Sequence, residues 1–166
     1  MAVYELTLPL DDATVEKLQV RDIAHLKLRE LADAGKPFPE DLRGGAIFHA
    51  GPVMKKDAQG KWYLSVIGPT TSIRMEPHAD FVGQQGVKVI IGKGGMGDGT
   101  KAALQKYKQV YVQACPGCAV VLAAGIVGTK EPHWFEHGMP EAMWPLQAKH
   151  FGPFLVTMDS HGNSRY

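Results

Sequence analysis

Val87-Lys88-Val89-Ile90-Ile91 is a short, nearly continuous apolar run, and Gly92-Lys93-Gly94-Gly95-Met96-Gly97 follows it without a break. A run that is apolar rather than alternating marks a strand covered on both faces. Asp98-Gly99-Thr100 then offers the cap of a helix over Lys101 to Lys108. Strand, glycine turn and helix in that order call for a partly parallel sheet with helices packed against it, the α/β class.

The rest of the chain fits that class. Tyr4 to Leu8 alternates like a half-buried strand, and Asp11, Asp12 and Thr14 open a short helix through Lys17. Ile23, Leu26, Leu28 and Leu31 share a helical face between Asp22 and Ala34, with Gly35 as the stop. Ala46 to His49 and Trp62 to Ile67 read as strands joined through the turn-rich Lys55 to Gly60. Gln109 to Val112 is a further strand, Cys118 to Val127 an apolar helix, and Phe154 to Met158 a last strand ending in the turn Asp159 to Asn163. No repeat or long linker divides the 166 residues, so one domain over 1–166 is expected.

Composition closes off several functions. Eighteen Lys and Arg against 17 Asp and Glu leave neither a nucleic-acid footprint nor a polybasic membrane patch. The apolar run Ala119 to Val127 is well short of the roughly 18 residues that span a bilayer. The opening MAVYELTLPLDD lacks the basic and apolar regions of a leader, and two cysteines build no disulfide scaffold. A soluble, cytoplasmic protein is expected. The unusual content is 19 Gly, 11 Pro and 7 His.

Three constellations carry chemistry. Gly92, Gly94 and Gly97 satisfy the G-x-G-x-x-G fingerprint of dinucleotide folds. The acidic residue about 20 positions on that would hold a ribose is missing, because Val112 to Pro116 contains no carboxylate. A tight turn, or a small-anion site built from Lys93 and free backbone N–H groups, fits better. Second, Gly68-Pro69-Thr70-Thr71-Ser72-Ile73-Arg74-Met75 returns Arg74 to the face of Thr70 if it is helical. Hydroxyl and guanidinium converging there suit a carboxylate or phosphate, although a capped helix with a solvated arginine explains the same residues. Third, Cys115, Cys118, His133 and His137 imitate a zinc spacing. The core-like run between them and an extended His133 to His137 favour a turn with a buried thiol. A fourth segment, Arg21-Asp22-Ile23-Ala24-His25, allows Asp22 either to cap a helix or to orient His25 for proton transfer.

Five ordered motifs then resemble one family: Arg21 to His25, Gly45 to Pro52, Gly68 to Met75, Gly92 to Gly97 and Gly138 to Ala142. The chain resembles the β subunit of the class I, iron–sulfur fumarases and L(+)-tartrate dehydratases from Arg21 to Asn163. The resemblance implies an α/β fold, a single swivelling-type β/β/α domain like the C-terminal domain of class I fumarases. It implies a hydro-lyase acting on a small dicarboxylate, fumarate first and L-tartrate close behind. It also implies an α subunit, in an α2β2 assembly, that carries a [4Fe-4S] cluster on three cysteines. By motif, Arg21, Arg74 and Lys93 would hold carboxylates, and Thr70 would move the proton with Asp22 and His25 in support. This chain departs from the pattern before Arg21, where Val15 to Val20 replaces an expected glycine turn and strand; either that segment is absent or the sequence omits it. Gly138 to Asn163 leans toward tartrate chains, and an end at Tyr166 toward fumarases. The alternative from another class is a stand-alone small-anion or nucleotide-binding module without chemistry.

Overall fold

The computed structural model describes residues 23–166. The strand and short helix expected between Tyr4 and Lys17, together with Arg21 and Asp22, lie outside the described residues.

β4 (Val89–Gly92) is the centre of the fold. It pairs in parallel with β1 (Ala46–Phe48) on one side and with β5 (Val110–Ala114) on the other. β8 (Phe154–Met158) closes the sheet antiparallel to β5, giving the order β1-β4-β5-β8. Successive β4 residues enter different cores, as a non-alternating run requires. Ile90 packs with Leu28, Phe81, Val82, Leu104 and Tyr111, and Ile91 with Ile67, Val112 and Leu122.

Helices α1 (Ile23–Asp33), α2 (Ala79–Gln84) and α3 (Asp98–Tyr107) serve the first core. α4 (Ala119–Ala124) and the hairpin of β2 (Ala50–Lys56) and β3 (Trp62–Pro69) serve the second. A smaller antiparallel pair, β6 (Ile126–Thr129) and β7 (Leu146–Ala148), lies beside β3. α1 ends as the sequence indicates, with Gly35 at a φ of 61°.

Four expectations are corrected. The hairpin partner of β3 is β2, not the Ala46 segment, which belongs to the main sheet. Gly51 and Pro52 conceal β2 in the sequence. Pro52 is tolerated because β2 has a single ladder partner, so a missing N–H is affordable. The apolar stretch from Cys118 is a six-residue helix that stops at Gly125, and β-branched Ile126 and Val127 begin β6. A side chain at Gly125 would press on Phe151, so helix and strand join there tightly. Residues 133–137 are not extended: His133 makes an isolated bridge to Met143, Trp134 has a φ of 61°, and Phe135–His137 is a turn of 3-10 helix.

The last correction bears on the site. α3 starts at Asp98, three residues before the expected Lys101, and makes no side-chain cap of its own. Its first turn is capped from a distance by Glu76. The carboxylate accepts N–H of Gly97 at 2.8 Å, N–H of Thr100 at 2.9 Å and the Thr100 hydroxyl at 2.6 Å. α1 is treated alike, Ile23 N–H donating to Glu141 at 3.2 Å.

Candidate functional site

β3 ends in Gly68-Pro69, after which the chain turns into a 3-10 helix, Ser72–His78. That turn places Arg74 back over Thr70, and the Arg74 Nη2 donates to the Thr70 hydroxyl at 2.9 Å. The helix is 3-10 with Pro77 inside it, and Thr71 occupies its N-cap without a side-chain cap bond. The convergence read from the sequence is therefore present, on a tighter helix than the spacing suggested.

The second cationic turn lies directly against the first. Thr71 and Lys93 form a parallel bridge between the ends of β3 and β4. Ser72 N–H donates to the Lys93 carbonyl at 3.1 Å, and Lys93 N–H donates to the Ser72 hydroxyl at 3.2 Å. Gly92 is what admits this hydroxyl, since a Cβ there would fall on Ser72 Oγ and within 2.9 Å of the Tyr111 hydroxyl. Tyr111 is fully buried, donates to the Gly94 carbonyl at 2.8 Å, and has its phenol pushed up chiefly by burial.

The turn is thus held from beneath by side chains, and several of the N–H groups along it and the helix start are occupied. Lys93 N–H is bonded to Ser72, and those of Gly97 and Thr100 to Glu76. A carboxylate of the protein itself sits where a dinucleotide pyrophosphate would rest on the helix end. Of the backbone donors expected beside Lys93, its own N–H is taken by Ser72. What Lys93 offers is its side chain.

Thr70 and Arg74 open onto a cleft of about 560 Å³. Its walls include His25 and Leu28 from α1, His49 and the start of β2, and the Pro140 to Pro145 segment. Lys93 is not part of that lining and stands on the neighbouring turn. His25 is buried, its ring 5.2 Å from that of His78 and 5.6 Å from that of His49. Glu40 and Lys130 also line the cleft; Lys130 donates to Glu40 at 2.7 Å, and His133 Nε2 lies 3.3 Å from the same carboxylate. Lys130 first and His133 second hold the Glu40 carboxyl below its ordinary range.

The apparent zinc spacing does not assemble. His133 faces Glu40, His137 lies 3.7 Å from Glu136, Cys115 is exposed, and Cys118 caps α4. Among the described residues, no three His, Cys, Asp or Glu side chains are grouped to hold a metal ion. A cluster bound by three thiolates does not fit a chain with two cysteines, one of them on the surface. Among the described residues no helix is long and apolar enough to cross a membrane.

Residues 15–166 match the family model described as fumarase C-terminus. The chain belongs to that family. It is 47% identical over 145 residues to the L(+)-tartrate dehydratase subunit beta of Escherichia coli K12, covering 87% of this chain and 70% of the relative. It is 42% identical over 148 residues to a putative L(+)-tartrate dehydratase subunit beta of Methanocaldococcus jannaschii, covering 88% and 75%. A putative class I fumarate hydratase of Geobacillus stearothermophilus is 40% identical over 171 residues, covering 98% of this chain but 33% of that protein. The family resemblance and the α/β architecture read from the sequence both hold.

Fumarase C-terminus membership gives the five motifs their meaning as one unit. His49, Ser72 and Glu76 bind the two turns together in ways the sequence does not single out, although each lies in or beside a motif that carries the resemblance. No spacing rule links residues 21 or more positions apart, so only the fold reveals their contacts.

Proposed function

We propose that this chain is the β subunit of a hydro-lyase that adds water to, or removes it from, a small dicarboxylate. The observation that carries the reading is the Arg74–Thr70 contact at 2.9 Å beside a cleft walled by His25 and His49. A guanidinium neutralises a carboxylate and binds it in a defined plane. The same cation stabilises negative charge developing on the adjoining hydroxyl oxygen, which suits Thr70 to exchange a proton with the substrate carbon. Lys93, on the abutting turn, supplies a second cation for the other carboxylate. Both charges must be neutralised and held before a C–H bond next to one of them ionises. His25 supports Thr70 from the cleft wall, and Arg21 and Asp22, outside the described residues, complete the proposed set.

Two cysteines are too few to hold a three-thiolate cluster within these residues, so the proposed metal chemistry lies outside them. The names of the tartrate dehydratase relatives, each a subunit beta, support an α partner; in the proposed reading that partner bears an iron–sulfur cluster, in an α2β2 complex. Such a cluster supplies Lewis acidity toward the departing hydroxyl. The work of this chain is to bind carboxylates, exclude water and move a proton at Thr70. Fumarate and L-tartrate present the same pair of carboxylates, and the relatives' names weigh toward L-tartrate where the sequence expectation put fumarate first. Free thiols suit the cytoplasm.

The test is reconstitution. The chain alone is expected to be inactive, and mixing it anaerobically with a three-cysteine α subunit is expected to give turnover of fumarate or L-tartrate. Absence of turnover with every such partner, together with tight nucleotide binding by the chain alone, would sink the reading. The occupied N-terminus of α3 argues against the nucleotide-binding alternative.

A further inference from the structure

His49 is the single residue between β1 and β2, and three of its polar atoms join the two cationic turns. Its N–H donates to the Ile91 carbonyl at 2.8 Å, tying it to β4 just ahead of Gly92. Its carbonyl accepts the N–H of Thr70 at 2.8 Å. Its Nδ1 lies 3.0 Å from Ser72 Oγ, which in turn accepts the N–H of Lys93. Through the main chain His49 reaches Thr70, and through its imidazole and one hydroxyl it reaches Lys93.

A serine hydroxyl bonded to an imidazole is the arrangement of a nucleophile and its base. That reading fails on burial. Ser72 is 0% exposed and its oxygen is packed against the α-carbon of Gly92, so no substrate reaches it. The pair has a different use. We propose that His49 is a positioning residue that acts through Ser72 to fix the Lys93 turn beside Thr70 and Arg74. The proposal rests on the reading of Lys93 as a carboxylate-binding residue.

The two links have separable consequences. Replacing the imidazole leaves the carbonyl that holds Thr70 in place, so the Thr70–Arg74 pair survives. Ser72 loses the imidazole that orients its hydroxyl, and the bond from the Lys93 N–H to that hydroxyl is weakened, while the Ser72 N–H bond to the Lys93 carbonyl remains. A group that binds a carboxylate equally in ground and transition states affects KM more than kcat.

The experiment uses the reconstituted α–β complex, with fumarate and L-tartrate as substrates. His49→Leu is expected to raise KM about tenfold while kcat falls less than about threefold. His49→Asn should restore most of the loss, because its amide falls where Nδ1 was and can donate or accept. His49→Gln, whose amide reaches toward the Nε2 position, should not restore it. Ser72→Ala should reproduce His49→Leu, and the double variant should be no worse than either single one. Wild-type kcat and KM in His49→Leu and Ser72→Ala would overturn the proposal, as would His49→Asn that behaves like His49→Leu. A second measurement stands apart from catalysis. Hydrogen exchange at the Lys93 amide of the full chain should quicken in His49→Leu and Ser72→Ala but not in His49→Asn. If the wild-type pair turns over neither substrate, the functional reading fails by itself, and unchanged exchange at Lys93 would overturn the role of His49 separately.

Discussion

Arg74 Nη2 donates to Thr70 Oγ1 at 2.9 Å, across the first turn of a 3-10 helix that begins where β3 ends. The hydroxyl is thereby oriented by a cation, with its own proton left for another acceptor. Arg74→Ala is expected to lower kcat/KM by about two orders of magnitude or more, because a carboxylate in the closed site would lack its partner. Arg74→Lys should recover only part, since an ammonium lacks the planar fork. Steady-state kinetics of the reconstituted complex decides, and an unchanged rate would remove Arg74 from the site.

Glu76 ties the 3-10 helix to the first turn of α3 by three short hydrogen bonds. Glu76→Ala leaves those donors without a partner in a half-buried place and is expected to cost about 2–3 kcal/mol. Urea unfolding should show an earlier midpoint with little change in slope. A midpoint at the wild-type position would mean that solvent replaces the carboxylate without loss.

Gly92→Ala tests how tightly the two turns abut. The added methyl would land on the Ser72 hydroxyl and crowd that of Tyr111. Displacing two buried polar groups is expected to cost about 2 kcal/mol or more. Gly94→Ala meets no atom within 4 Å, but its φ of 75° carries a backbone strain of about 1 kcal/mol. The order of the two thermal midpoints, with Gly92→Ala lower, is the quantity to measure.

Acid sensitivity has a clear source at Asp41, on the wall of the cleft. Hydrogen bonds from Arg43 hold the Asp41 carboxyl down at about 2 from its ordinary value of 3.8. A depressed carboxylate contributes stability that is present above the unfolded value and lost as pH falls through the folded one. Asp41→Asn should therefore lie slightly below wild type in thermal midpoint near neutrality. The two curves should converge between about pH 4 and pH 2. Both side chains are exposed, so the gap should be small and shrink in salt. A gap that widens on acidification would reverse the assigned sign.

The parallel strands and their helices were legible because apolar runs and glycine stops are local signals, as at Val87 to Gly97. β2 was not, since Gly51 and Pro52 speak against a strand unless it is known to have one neighbour. The Thr70–Arg74 contact could be anticipated from a four-residue spacing. The bonds from His49 to Ser72 and from Glu76 to Thr100 join residues 23 and 24 positions apart, and no local pattern encodes them. The helix cap is the instructive miss. Asp98 and Thr100 are good capping residues by type, yet Gly97 takes the cap position so that a distant carboxylate can enter.

The β2–β3 hairpin also dictates where this chain tolerates a change of length. Phe48 and Ala50 belong to different sheets with one residue between them. Inserting or deleting a residue there would exchange the inward and outward faces of one sheet relative to the other. At the far end, Asp57 closes the hairpin with bonds to Lys61 and Gly60, and the space around Gly60 is open. Extra residues at that tip cost only the slow entropy of a longer loop. Insertions are therefore expected to accumulate at the tip of the hairpin, while its root keeps a fixed count.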